Sequence, residues 1–478
     1  MRFTGAIILV FSFLTINTSI AQEQLGLRLE NFSGVNSLSL NPAANLSGAF
    51  SWDVNLVGGG VFGETNYGFI YQTNVSEIIR LLPEADAAYN YSSEIQFPGN
   101  TLIYDYNDND RKKYANLSTI VMGPSFMIKL ASGHSFGVFT NIRSAISAQQ
   151  VPRELNYYFF DRTALGEEFN IKPFTAAGMT WSEVGVNYAR RMETNIGNLD
   201  IGASVKFLNG YEAIFINNEK SFGLTQLPGD TLSFANPDLS YGLTTSNASG
   251  EEFNLNKNGT GLAFDLGAVY TIDGYEDTYQ WKFGAALLDI GKINFNRNAE
   301  SHKINTAQTF SIPTGDYDNV EDVDDILTML SEQSLGDPST SLKDRKFDIW
   351  LPGALSLQAD YSVLPNVFVN ATLIQRLPYR QNAVKRGNLL ALTPRFEHRW
   401  LSAAIPVSLY NYNKLRVGAA IRLAFLTIGT ENLTSFVGSA NVTGSDIYFA
   451  IKVNPFKVGF NRGGGSSKKG KNVKCYEF

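Results

Sequence analysis

Three places in the sequence combine residue types that could do chemistry. Gly465 to Lys471 spells G-x-x-x-x-G-K, the spacing with which backbone N–H groups cradle nucleotide phosphates. Asn472 stands where a Ser or Thr would hold magnesium, and neither a buried strand before the motif nor a helix after it is visible. Asp105, Asn107 and Asn109 alternate like the first ligands of a calcium loop, but Asp110 occupies the required glycine position and Asn116 the place of a bidentate Glu. His134, His302 and His398 have no metal-ligand spacing, and no G-x-S-x-G elbow accompanies them. These readings predict no catalytic residue, no metal site and no cofactor. Cys475 is the one cysteine, which excludes a disulfide framework within the chain.

The elements around these residues must be built by a chain of 478 residues, 44% hydrophobic and 18% charged, with 33 Phe, 22 Tyr, 5 Trp and 42 Gly. That is too apolar for a disordered chain. With 39 basic against 45 acidic residues, the net charge of −6 gives no electrostatic footprint for nucleic acid. Met1-Arg2 is positive, Ala6 to Ile16 is apolar, and Ser19-Ile20-Ala21 places small residues before a cleavage site. Residues 1–21 therefore read as a secretory signal peptide cleaved near Ala21. No later apolar run approaches the roughly 18 residues of a transmembrane helix.

The mature chain repeats a period of two. Leu199, Ile201, Ala203, Val205 and Phe207 alternate with Asp200, Gly202, Ser204 and Lys206; Leu415, Val417, Ala419, Ile421 and Leu423 alternate with Arg416, Gly418, Ala420 and Arg422. The pattern recurs over Leu262–Tyr270, Leu351–Tyr361 and Ile447–Val453. Segments of about 9–11 residues suit tilted strands that cross a membrane. Short links (Ala131–His134, Met192–Asn198, Asp273–Thr278, Val363–Asn366) alternate with long ones (Thr73–Asn116, Gln149–Met179, Asn217–Asn258, Arg297–Trp350). Such asymmetry fits tight periplasmic turns on one rim and long extracellular loops on the other, which a soluble sandwich has no reason to keep. The reading is an all-β, transmembrane antiparallel β-barrel over 51–460. It has fourteen strands if Ser51–Gln72 is one bent strand kinked at Gly58-Gly59-Gly60. Phe425–Thr430 is the least defined strand, because no clear turn precedes it.

Before the first strand lies Leu25–Phe50, polar and irregular, with Asn41-Pro42-Ala43 inside it. Pro42 fixes φ and Asn41 can bond nearby backbone, so the tripeptide makes a stiff turn. A pre-barrel segment with this tripeptide followed by about fourteen strands resembles the FadL-type outer-membrane barrels. Pro394-Arg395-Phe396, Tyr410-Asn411-Tyr412 and Ile428-Gly429-Thr430-Glu431-Asn432-Leu433 look like the FadL/PorV-like barrels of Bacteroidota, and within these the chain is most similar to a family of unassigned function. The resemblance implies that residues 22–50 fold into the lumen as a hatch carrying Asn41, Pro42 and Ala43. Irregular backbone at membrane depth is tolerated when the barrel walls it off from lipid.

Two long loops carry helical patterns. Ile78, Ile79, Leu81 and Leu82 precede Pro83, and Val320–Ser331 sets Val323, Ile326, Leu327 and Leu330 on one face, with Glu321, Asp322, Asp324 and Asp325 in its first turn. Ile78, Ile79, Leu82, Ile326, Leu327 and Leu330 are a candidate surface at the barrel mouth for a hydrophobic molecule; the alternative is that they cap the mouth by packing on one another. The Gly/Lys-rich tail 461–478 is expected in the periplasm. Two functions remain open. One is passage or binding of a small hydrophobic molecule past a hatch, as the FadL resemblance implies. The other is an adaptor or scaffold for envelope proteins, as PorV-like barrels resemble. Outer-membrane lipid, a hydrophobic small molecule and envelope proteins are the candidate partners; nucleic acid is not.

Overall fold

Period-two alternation gives each strand one apolar and one polar face, and in lipid only a closed ring leaves no edge of unpaired backbone groups. The computed structural model describes residues 23–81, 86–89, 101–155, 164–247, 255–274, 279–317, 320, 322–378 and 381–455. The signal-peptide segment, Leu82 and Pro83, Glu321, and the tail with Gly465, Lys471, Asn472 and Cys475 lie outside the described residues.

Among the described residues fourteen antiparallel strands close a transmembrane barrel. The first seven are β1 (Trp52–Thr65), β2 (Lys113–Met122 continued by Ser125–Lys129), β3 (His134–Val151), β4 (Phe174–Thr194), β5 (Gly197–Asn218), β6 (Gly259–Asp273) and β7 (Tyr279–Phe295). They are followed by β8 (Ala354–Leu364), β9 (Val367–Arg376) and β10 (Leu389–Glu397). The ring is completed by β11 (Leu401–Ala404 continued by Val407–Tyr410), β12 (Lys414–Val417 continued by Ala419–Leu423), β13 (Leu426–Thr430) and β14 (Gly444–Val453). β14 pairs with β1 from Gly444↔Glu64 to Val453↔Val54, which closes it. No described helix is long and apolar enough to cross a membrane.

The alternation points as the pattern predicts. On β5, Ile201 and Phe207 are 48% and 55% exposed on the outside, while Asp200 and Lys206 are buried at 0% and 5% inside. Ile421 and Leu423 of β12 face outward between buried Arg416, Ala420 and Arg422. Polar and charged groups thus fill the inside, and aliphatic and aromatic side chains meet the lipid.

Four details differ from the sequence reading. The wall strand β1 ends at Thr65; Gly68–Thr73 belongs instead to a separate four-stranded sheet, where it pairs with Thr101–Tyr106 and Ala440–Val442. The irregularity in β1 lies between Asn55 and Val57, so Leu56 and Val57 both face outward, a bulge rather than a glycine kink. Leu351 is not part of an outward strand face; it precedes β8 and is fully buried beside Trp181 and Phe347. Helix α4 (Val323–Leu335) starts and ends later than expected, because Asp322 caps it by accepting from Asp324 N–H at 2.9 Å and Gly336, at φ 78°, ends it.

Tight turns gather on one rim. On the other rim the long loops raise the wall: the end of β5 pairs with Asp238–Thr244, which pairs with Ala299–Asn305. They also form a second small sheet from Glu168–Ile171, Phe222–Leu227, Thr231–Ala235 and Thr309–Pro313. β12 and β13 are joined through Ala424 and Phe425, with Ala424 held at φ 50°. This tight turn is the boundary that the sequence left undefined. A left-handed φ penalises a Cβ, so Ala424→Gly is expected to stabilise the folded barrel by about 0.5–1 kcal/mol. Denaturant unfolding in vesicles measures it; a lower midpoint for the variant would contradict the assignment.

Candidate functional site

Residues 23–50 lie inside the ring. Short helices α1 (Leu25–Arg28) and α2 (Ala44–Ser47) flank a 3-10 turn, Gly34–Ser39. Apolar side chains find inward wall partners: Leu25, Leu29 and Leu40 pack with Phe62, Ile374, Leu389 and Tyr410, and Leu27 packs with Ile120, Met122 and Tyr448. Short turns satisfy part of the backbone, as where the N–H groups of Arg28, Leu29, Leu40 and Ala44 bond to carbonyls of the segment itself, and wall side chains take N–H groups left over. Glu431 accepts from Leu25 N–H at 2.7 Å, Tyr448 OH from Gly26 N–H at 3.1 Å, Glu397 from Asn31 N–H at 3.0 Å and Asp53 from Val35 N–H at 3.0 Å. Lys452 donates to the carbonyls of Phe32 and Ser33 at 2.6 and 2.8 Å. Glu30, buried, takes Arg422 Nε at 2.9 Å and Ser402 Oγ at 2.5 Å.

Asn41-Pro42-Ala43 is seated on the inner wall at β4–β7. Asn41 Oδ1 accepts from Ala43 N–H at 3.0 Å, and its Nδ2 donates to the carbonyls of Ala268 at 3.0 Å and Ala285 at 3.4 Å. Asn187 Nδ2 donates to the Pro42 carbonyl at 3.0 Å. Paired glycines, Gly202 on β5 and Gly267 on β6, form the seat. A Cβ on Gly202 would overlap the Pro42 carbonyl, and one on Gly267 would overlap Asn41 Oδ1 and Pro42 Cδ. The absence of side chains there lets the turn approach the wall backbone.

On the loop side of this segment is a chamber of about 60 Å³. Five consecutive strands each send a charge into its wall. Arg143 of β3 forks onto Asp289 of β7 at 3.0 and 2.9 Å and reaches Glu183 of β4 at 3.3 Å. Lys206 of β5 bridges Asp265 of β6 and Asp289, both at 2.7 Å. Asp289 sits at φ 56° in a bulge opposite Asp265, whose Oδ1 accepts its N–H at 2.7 Å. Strained backbone here aims a carboxylate at two cations.

The connection from β9 to β10 folds inward over the chamber. Val384 is buried beside Trp181 and Ile349, Trp350 bridges to Ala383, and Lys385 N–H donates to Ser147 Oγ at 2.7 Å. Lys385 Nζ donates to Thr175 Oγ1 at 2.8 Å, and Arg386 Nε meets Glu23 Oε1 at 3.1 Å. The last contact ties this loop to the N-terminal segment. Positive charge crowds this corner. Burial first of all, with Arg386 and Arg143 adding to it against the pull of Glu23, lowers the Arg28 guanidinium to about 10. Burial and then Arg376 lower the Lys385 ammonium.

The loop residues singled out by sequence fall in two places. Leu327, buried, and Leu330 pack under α4 with Tyr241, Ile304 and Phe310, and Ile326 is half-buried on the same helix. Ile78 is half-buried and Ile79 exposed on α3 (Val75–Leu81), while Leu82 lies outside the described residues. Asn109 Oδ1 accepts from Lys113 Nζ at 2.6 Å. His134 meets Tyr188 OH at 2.8 Å, His302 meets Ser341 Oγ at 3.0 Å, and the His398 carbonyl accepts from Arg422. Sequence reasoning missed Arg386, Lys385 and the Glu30–Arg422 pair. Two apolar residues, Ala383-Val384, in a loop expected to be polar were the available signal for the first two.

A model of a family of unknown function, DUF5723, matches residues 42–431. None of the curated proteins matches the sequence. Among solved structures, the deltaS2S3 mutant of the TodX monoaromatic hydrocarbon channel is similar at 10% identity over 88% of this chain and 94% of that chain, with a TM-score of 0.39. The Pseudomonas putida toluene transporter TodX is similar at 11% identity over 88% and 93%, TM-score 0.38. A Pseudomonas aeruginosa FadL homologue is similar at 10% identity over 87% and 93%, TM-score 0.22.

Breaking the Glu30–Arg422 pair from one side strands a buried charge. Arg422→Met alone is expected to destabilise the barrel by about 3–5 kcal/mol, and Arg422→Met with Glu30→Gln by much less. Unfolding midpoints of the three chains measure this; equal losses in the single and double variants would contradict the buried pairing.

Proposed function

The chain belongs to the family of unknown function DUF5723, and from the geometry of its lumen we propose an outer-membrane barrel that binds a small molecule on the loop side of an N-terminal hatch. In this reading residues 1–21 are a signal peptide removed on export, 22–50 are the hatch, 51–460 the barrel and 461–478 a periplasmic tail. The carrying observation is the segment from Glu23 to Phe50, held within the ring by wall side chains and bounding a chamber on one side. Passage then requires the hatch to shift. A hydrophobic cargo, as in FadL-type barrels, draws its support from Ile78 and Ile79 at the mouth; Leu327 and Leu330, packed under α4, favour capping of the mouth by the loops, and the chamber's charged wall supports a polar cargo.

A second reading, an adaptor barrel of the PorV-like kind known by resemblance from Bacteroidota, is favoured by a different observation. Tyr71, Ile79, Leu433 and Val437 are 37%, 59%, 41% and 67% exposed on loop elements that touch one another. Envelope proteins would dock there.

Deleting residues 23–50 separates the two readings. The hatch reading expects a clear rise in single-channel conductance in planar bilayers over the full chain. Unchanged conductance with a correctly folded barrel would contradict the hatch and leave the adaptor.

A further inference from the structure

We propose that the luminal chamber is a binding site for one small monoanionic group, a carboxylate or a phosphate, received by Arg386 with Arg28 and Lys385 beside it. This rests on the reading of the chamber as a binding space and specifies what the space takes.

Charge balance around the chamber is uneven. Arg143 and Lys206 face three carboxylates, Glu183, Asp265 and Asp289, and are outnumbered by them, so the negative charge lies on that side. At the opposite corner Arg386 Nε meets Oε1 of Glu23, whose backbone carbonyl accepts from Arg28 Nη1 at 3.1 Å, and Lys385 stands beside them. The guanidinium of Arg386 is 6% exposed, lines the chamber, and its Nη1 has no hydrogen-bond partner among the described residues. A buried charged donor left unmade is costly, and a planar guanidinium with an open N–H matches a carboxylate or phosphate oxygen. Lys385 Nζ meets only the neutral hydroxyl of Thr175 in the hydrogen bonds given above, so an ammonium charge stands by the same corner without a carboxylate in contact.

Size and lining point the same way. A chamber of about 60 Å³ has room for a few waters or a compact anionic group. Asn36, Asn116 and Asn141 also line its wall and donate one amide hydrogen each, to Asn55, Tyr410 and Glu183 respectively, so the lining is polar. Because the inward loop carries Lys385 and Arg386 while the N-terminal segment carries Arg28 and Glu23, an anion bound there would contact both elements that close the lumen.

Titration calorimetry of the full chain in detergent, in low-chloride buffer, tests this with acetate and inorganic phosphate as probes. One saturable site for at least one probe is expected; acetate alone identifies a carboxylate ligand, phosphate alone a phosphate ligand. Arg386→Gln should weaken binding at least tenfold, about 1.4 kcal/mol, and Arg386→Lys should recover part of it. Lys385→Gln serves as a second variant, also expected to weaken binding, if Arg386→Gln fails to fold as judged by heat-modifiable migration. Arg80→Gln, on the exposed face of α3, should bind as the parent does. Absence of binding to both probes, or parental affinity in the folded charge-removal variants, overturns the proposal. The titration reads the intact chain and the deletion reads conductance, so failure of the anion site and failure of the hatch are told apart.

Discussion

Irregular backbone at membrane depth satisfies only part of its polar groups by its own turns, and much inside this barrel follows from how the remainder is met. Residues 23–50 cannot form a ladder with the wall, yet they are buried. Inward side chains of the strands supply the missing partners: Glu431, Tyr448, Glu397 and Asp53 accept from the segment's N–H groups, and Lys452 donates to its carbonyls. Such a match requires polar residues at inward positions on most strands, which is why the wall alternates lipid-facing aliphatics with Asp, Glu, Lys and Arg rather than with a second apolar set.

The same constraint explains the chamber. Charges that serve no segment group must serve one another, and Arg143, Glu183, Lys206, Asp265 and Asp289 do so across β3–β7. The bulge at Asp289 is the local distortion that lets one carboxylate answer two cations. Where the inward loop from β9 meets the N-terminal segment at Arg386 and Glu23, matching is incomplete, and this is the corner where the structure has room for something else.

Much of the wall was legible in the residues. Alternation such as Leu199–Phe207 placed strands and faces because side-chain direction in a strand has a strict period of two. Short and long links placed the rims. The seat of Asn41-Pro42-Ala43 on Gly202 and Gly267 was not legible, since that contact joins residues far apart in the chain and glycine in a strand has several causes. The bulge at Leu56 was read as a kink at Gly58–Gly60 because a glycine run is a louder local signal than a register shift set by the partner strand. Arg386 was invisible for a related reason: a twelve-residue connection reads as a surface loop, and only its packing against Trp181 and Trp350 turns it inward.

Amide hydrogen exchange on the folded full chain in detergent reads the docking of the N-terminal segment directly. The N–H groups of Leu25, Gly26, Asn31 and Val35, each donated to a wall side chain, are predicted to be protected to a degree comparable with the amides of β5 and β6. Exchange of these four at the rate of an unstructured peptide, with β5 and β6 still protected, would contradict an N-terminal segment docked inside the ring.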